Sequence, residues 1–167
     1  MTIPLELQPI SGTPPAVLYR WDTETDIFTA TLSSADAGGG PSRAVELEGT
    51  DGTWLVLELR GGRLTGVEIA LWPDVHRNPV LSAPPPTSCA EVVVPASSGA
   101  AAASIEVEVP IRAEADDSER LVHFRIGERR EVHAVRVATD LLLDVDQHGC
   151  LAGLWFLNVP PFPVITP

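Results

Sequence analysis

Lysine is absent from this chain of 167 residues. Without it there is no Schiff-base chemistry and no phosphate-gripping lysine in a nucleotide-binding loop, so pyridoxal enzymes and P-loop NTPases are excluded. Positive charge of any kind is scarce: 11 arginines stand against 23 acidic residues, a net charge of −12. That charge repels phosphate backbones and anionic membrane surfaces, so neither nucleic acid nor membrane is expected as a partner. No apolar run reaches the roughly 18 residues that cross a bilayer. The opening MTIPLELQPI has neither the basic patch nor the apolar core of a secretion signal, and a cytoplasmic location is expected. Cysteine is limited to Cys89, in a proline-rich stretch, and Cys150, just after a turn. They form no close pair with metal-ligand spacing and are expected as reduced thiols, with no cofactor.

Helical patterning is missing too. No stretch of about a dozen residues keeps a 3.6-residue apolar period free of proline and glycine. Valine, threonine and isoleucine recur in short alternating runs, as half-buried strands require. The 16 prolines mark ends and linkers.

What is present is internal repetition. Gly62-Arg63-Leu64-Thr65-Gly66-Val67-Glu68-Ile69 aligns without gaps to Gly149-Cys150-Leu151-Ala152-Gly153-Leu154-Trp155-Phe156, and both run on to a proline, Pro73 and Pro160. Upstream, Val56-Leu57-Glu58-Leu59 matches Leu142-Leu143-Asp144-Val145. Further back, Trp21 to Asp26 followed by Phe28 parallels Ile126 to Glu131 followed by Ala134. The leading segments Ile3 to Leu7 and Ile105 to Val109 alternate alike. Each copy reads as strands joined by turns, with glycines at Gly61, Gly62 and Gly149 suited to positive φ.

A pseudo-symmetric, mainly β protein follows, with a duplicated antiparallel unit forming a sandwich or a barrel of roughly eight to ten strands and little or no helix. Residues 1–78 form the first β repeat. Residues 79–104 form a Pro/Ala/Ser-rich connection in which Glu91-Val92-Val93-Val94 can add an edge strand. Residues 105–167 form the second repeat. Units below about 70 residues usually need disulfides or metals, so the repeats are expected to pack as one globular unit.

With these segments placed, the chain resembles a small bacterial domain family of unknown function. That family's motif is an aromatic-Asp-x-x-x-Asp loop, a hairpin strand, then Gly-x-x-x-Gly-Ile-Glu-Ile. The first copy carries it in Trp21, Asp22 and Asp26, then Gly62, Gly66, Val67, Glu68 and Ile69. The second departs at Gly127 and Glu131, where the family has aspartates, and at Trp155, where it has glutamate. The helix that follows this strand in the family is interrupted here by Trp72-Pro73 and Pro160-Pro161. The resemblance implies the fold and the repetition and supplies no catalytic residue.

Four sets of polar residues are candidates. Asp144, Asp146 and His148 before Gly149 look like the start of a calcium loop, but the twelfth position is Trp155 rather than a bidentate acid, and an ordinary acidic turn is the plainer reading. His123 and His133 are expected opposite each other on a hairpin, with Arg125 facing Glu131, as a metal or acid-base pair or as surface histidines. Asp22, Glu24 and Asp26 form either paired carboxylates for acid-base chemistry or a self-capping loop. Glu68 is expected to point outward from its strand. No G-x-S-x-G elbow occurs, and Gly38-Gly39-Gly40 reads as a flexible hairpin tip. The apolar run from Leu151 to Ile165 must be covered on both faces, by the linker or by a second subunit.

The function expected from these patterns is a non-enzymatic binding or protein-interaction module, homodimeric, with a protein or a small molecule as partner. The alternatives are a small-ligand binder or hydrolase-like enzyme with an acidic and histidine pocket between the repeats, and an acidic protein that neutralises a basic partner.

Overall fold

Alternation of apolar and polar side chains sets the strands, and glycine and proline set their ends. A computed structural model describes residues 2–34, 39–95 and 104–163. Among these residues there is no helix, and so none long and apolar enough to cross a membrane. The strands of the first half are β1 (Glu6–Pro9), β2 (Val17–Trp21), β3 (Phe28–Leu32), β4 (Ser42–Glu48), β5 (Trp54–Arg60), β6 (Arg63–Leu71) and β7 (Val75–Arg77). Those of the second are β8 (Ser88–Val93), β9 (Ser104–Glu108), β10 (Ile111–Ala115), β11 (Val122–Ile126), β12 (Val132–Ala138), β13 (Leu141–Asp146) and β14 (Leu151–Phe156). They make one 14-stranded, strongly curled sheet ordered β7-β10-β11-β14-β13-β12-β8-β6-β5-β4-β9, with β3 and then β2 branching from β6 and β1 from β8.

Two five-stranded arrays of identical order lie within this sheet, β2-β3-β6-β5-β4 and β10-β11-β14-β13-β12. Their registers agree as well. Phe28 faces Ile69 as Val122 faces Phe156, and Thr31 faces Gly66 as Arg125 faces Gly153. The register slips just after Glu58, which faces Gly66, and slips again just after Asp144, which faces Gly153.

This correspondence corrects the sequence alignment at one hairpin. The β2–β3 loop matches the β10–β11 loop, not the segment from Ile126 to Glu131. Asp22 N–H donates to Ile27 O at 2.8 Å, and Asp116 N–H donates to Leu121 O at 3.1 Å. The physical cause is Pro110. Alternation runs unbroken from Ile105 to Ala115, but a proline supplies no ladder donor, and the chain divides there into two strands. β9 pairs parallel with β4, while β10 pairs antiparallel with β11. The leading segments are not equivalents either, because β1 pairs with β8.

Both arrays turn their apolar faces into one core. Phe156 packs edge-on against Phe28 and against Phe124, each with ring centroids 5.7 Å apart. Such pairs add about 1 kcal/mol beyond area burial. Hydrogen bonds also tie the halves together: Trp21 Nε1 donates to Pro160 O at 2.9 Å and Tyr19 Oη to Asp140 O at 2.7 Å.

β13 and β14 are buried along their whole length. Their outer side chains Leu142 and Trp155 pack with Ala134, and Leu81 and Ala83 of the long connection lie over them. From Leu151 to Phe156 the apolar run therefore finds its cover within the chain, whereas Phe162 further along is exposed; residues 164 and 165 at its end lie outside the described residues. The same connection contributes β8, which is no edge: it pairs with β1, β6 and β12. Residues 35–38, which include Gly38 of the glycine-rich tip, and the low-complexity run (residues 96–103) lie outside the described residues.

Candidate functional site

On the second array the residues with inward parity fill the core, so the intervening ones form an outer face. A row across that face reads His76, Glu114, His123, Trp155 and Leu142, each directly opposite the next on a neighbouring strand. The next row reads Arg112, Arg125, Gly153 and Asp144. Gly153 is the gap that brings the two rows together. A Cβ there would stand 2.6 Å from Asp144 Oδ2 and 3.1 Å from His123 Nε2, so only glycine leaves room for these side chains to meet.

They meet closely. Asp144 Oδ2 lies 2.8 Å from His123 Nε2, and Trp155 Nε1 donates to Asp144 Oδ1 at 3.0 Å. The imidazole stacks on the Trp155 indole with centroids 3.9 Å apart and planes 19° from parallel. The carboxylate is 6% exposed and the imidazole 16% exposed. Held on one side by a carboxylate and on one face by an indole, His123 is fixed in orientation and keeps Nδ1 for a further partner.

Beside this trio lies a cleft of about 430 Å³. Four of the 11 arginines line it, Arg112, Arg125, Arg129 and Arg130, together with His76, Glu114 and Glu128. No serine, threonine, cysteine or tyrosine is among its lining residues. Arg130 is structural: Nε donates to Asp146 Oδ2 at 2.8 Å, Nη1 to Ile126 O at 2.9 Å and Nη2 to Leu151 O at 2.8 Å. Asp146 also accepts the backbone N–H groups of His148 and Cys150, both at 2.9 Å. Burial works to raise the Asp146 carboxyl, but the Cys150 N–H, the Arg130 guanidinium and the His148 N–H outweigh it and hold its pKa below the usual aspartate value.

The sequence candidates are thus dispersed. His123 and Asp144 come together, and Asp146 stands behind them through Arg130. His123 and His133 are not opposite each other, because β14 and β13 lie between β11 and β12; His133 faces Val145 at an exposed position. Asp144 and Asp146 are engaged by different protein donors, and the His148 side chain is exposed in the turn. Asp22 Oδ1 accepts the N–H of Glu24 at 2.9 Å, which draws its carboxyl below the usual range, and Asp26 takes a positive φ of 60° in the same exposed loop. Asp22 alone caps this loop, which lies on the other array. Between the arrays, where a polar pocket was one expectation, the inner faces form an apolar core around Phe28, Phe124 and Phe156, and the named acids and histidines are not part of it.

Sequence reasoning missed Arg112, Glu114 and His76, all of which line the cleft from β10 and β7, strands that it did not place. The first array shows how special the second is. By register Thr29 stands where His123 does, Glu68 where Trp155 does, and Glu58 where Asp144 does. Burial, and then the neighbouring Glu58, push the Glu68 carboxyl above the usual glutamate range. A carboxyl raised on folding favours the fold only while protonated, so charged Glu68 works against it at neutral pH. Glu68→Gln is expected to add up to about 0.5 kcal/mol at pH 7 and nothing below about pH 4, read from urea midpoints at the two pH values. An equal gain at both would contradict this.

Neither the protein-family models nor the curated proteins compared with this chain match it.

Proposed function

We propose that the protein is a non-enzymatic binding module whose ligand occupies the cleft on the outer face of β10, β11 and β14, and that its two arrays descend from one duplicated unit. The observation that carries the reading is the contrast between equivalent faces. One array bears ordinary strand residues, whereas the other bears a stacked, hydrogen-bonded histidine and a set of arginines around a concavity. A preorganised polar face of this kind costs stability and is retained where it meets a ligand. The identical strand order and the repeated register slip support the duplication. A cytoplasmic setting fits the free thiols of Cys89 and Cys150. Leu81 and Ala83 pack against Leu142 and Trp155, which removes that stretch of the apolar run as a motive for a homodimer.

One observation favours a second reading. The Asp144-held imidazole is the arrangement that makes histidine a general base, and a water-activating enzyme would use it. The cleft has no serine, threonine, cysteine or tyrosine among its lining residues, so this reading is confined to general-base activation of water.

The test is an amide and indole NMR screen with mixed neutral, anionic and cationic metabolites. Shifts are expected at the Trp155 indole N–H and the β10–β11 amides while the Trp54 indole stays still. Shifts confined to the first array would refute the cleft as the ligand site. Turnover of any hydrolysable compound in the screen that vanishes in His123→Ala would favour the enzyme.

A further inference from the structure

We propose that Arg112 and Arg125 are the two jaws of an oxyanion site, so that the ligand of this cleft carries a carboxylate or phosphate group; the inference rests on the reading of the cleft as the ligand site. The two arginines face each other directly in the β10–β11 register. Like charges in that relation repel at close range, and an isolated sheet gains nothing from placing them there. Neither has a carboxylate within 4.0 Å among the described residues, whereas Arg63, Arg77 and Arg130 each do.

The state of Arg125 sharpens this. Its Nε is buried and meets no acceptor. A buried donor on a charged group carries a desolvation cost that a native fold ordinarily recovers by supplying a partner. Arg43 Nη2 on β4 is also buried and unpartnered, but Arg43 faces Leu59 on β5, not a second cation. On its other side Arg125 faces Gly153, over which the Asp144 carboxylate and the His123 imidazole meet, so both of those groups are already engaged beside it.

The cleft's own carboxylates do not fill the gap. Asp144 is taken by His123 and Trp155, and Arg130 by Asp146. That leaves Arg112, Arg125 and Arg129 with Glu114 and Glu128, and none of the three is ion-paired among the described residues. Two planar guanidinium forks around one space match the paired oxygens of a carboxylate or phosphate, which each fork can grip bidentately. The first array has Leu18 and Thr31 at the equivalent positions, so the pair belongs to the second array alone. On a protein of net charge −12 this local reversal also selects for anions small enough to enter the cleft without meeting the acidic remainder.

The experiment titrates the protein separately with inorganic phosphate, acetate, glucose and tetramethylammonium at constant ionic strength in chloride, following arginine Nε–H and tryptophan indole signals. Saturable shifts of the Arg125 Nε–H with phosphate or acetate are expected, and the tighter of the two identifies a phosphate or a carboxylate as the ligand group. Arg112→Gln, at an exposed position, and Arg125→Gln should each weaken that binding at least tenfold while the amide spectrum keeps its dispersion. Should Arg125→Gln fail to fold, Arg112→Gln alone decides. If glucose or tetramethylammonium moves the cleft signals and neither oxyanion does, the oxyanion assignment falls and the cleft survives as a ligand site. If no probe moves them up to tens of millimolar, both fall.

Discussion

Asp146→Ala is expected to cost about 3 kcal/mol of unfolding free energy, read from the urea midpoint. The carboxylate is 4% exposed and serves as acceptor for Arg130 Nε and for the N–H groups of His148 and Cys150. Alanine removes all three bonds at once. It leaves the Arg130 guanidinium, 27% exposed, inside the chain without its counter-charge, and the β13–β14 turn without its internal acceptor. Removing one member of such a pair costs more than removing both, so Arg130→Ala in the Asp146→Ala background should add less than it does alone. The pH dependence has a definite sign. The folded carboxyl lies below the unfolded one, so its contribution is complete above about pH 4 and is lost as the pH falls toward the folded value. Asp146→Asn should therefore flatten the acid limb of the stability curve. A loss under about 1 kcal/mol for Asp146→Ala would mean that the clamp is not what holds this corner.

The fold was legible where chemistry is local. Gly62 and Gly149 adopt φ of 81° and 76° at the two hairpins, as the turn glycines required, and the matching strands on either side follow in register. It was not legible where one strand passes into the next without punctuation other than a proline. Ile105 to Ala115 alternates as a single strand would, and only tertiary pairing, β9 with β4 and β10 with β11, shows two. That one omission moved His123 to the wrong neighbour. Read as a β11–β12 hairpin it met His133; in the sheet it meets Glu114 and Trp155. Trp155 was visible as a departure from the repeat and Gly153 as a repeated glycine, but their joint meaning lay in the cross-strand row, which depends on the register of four strands at once. Residue types identified the parts of the site, and sheet order determined which parts touch.

Gly153→Ala is the substitution in which fold and site are inseparable, and it should cost about 2 kcal/mol. The added Cβ would lie 2.7 Å from Phe124 O, a backbone atom of the paired strand that cannot rotate away, and 2.6 Å from Asp144 Oδ2. Either β11 and β14 spread, weakening a ladder whose other side packs Phe124 on Phe156, or Asp144 swings off His123 and Trp155. The Trp155 indole N–H should shift as its acceptor leaves, and any ligand affinity of the cleft should fall with it. Gly66→Ala is the control. The equivalent Cβ would lie 3.0 Å from Glu58 Oε2 and 3.1 Å from Ala30 O. Glu58 is exposed and free to turn outward, so the cost should stay under about 1 kcal/mol. Equal losses for the two variants would mean that the repeated glycine serves only strand packing. A larger loss at Gly153, with the indole shift, would mean that the second array has put the same absent side chain to use, as the space in which a carboxylate reaches across a strand to hold a histidine.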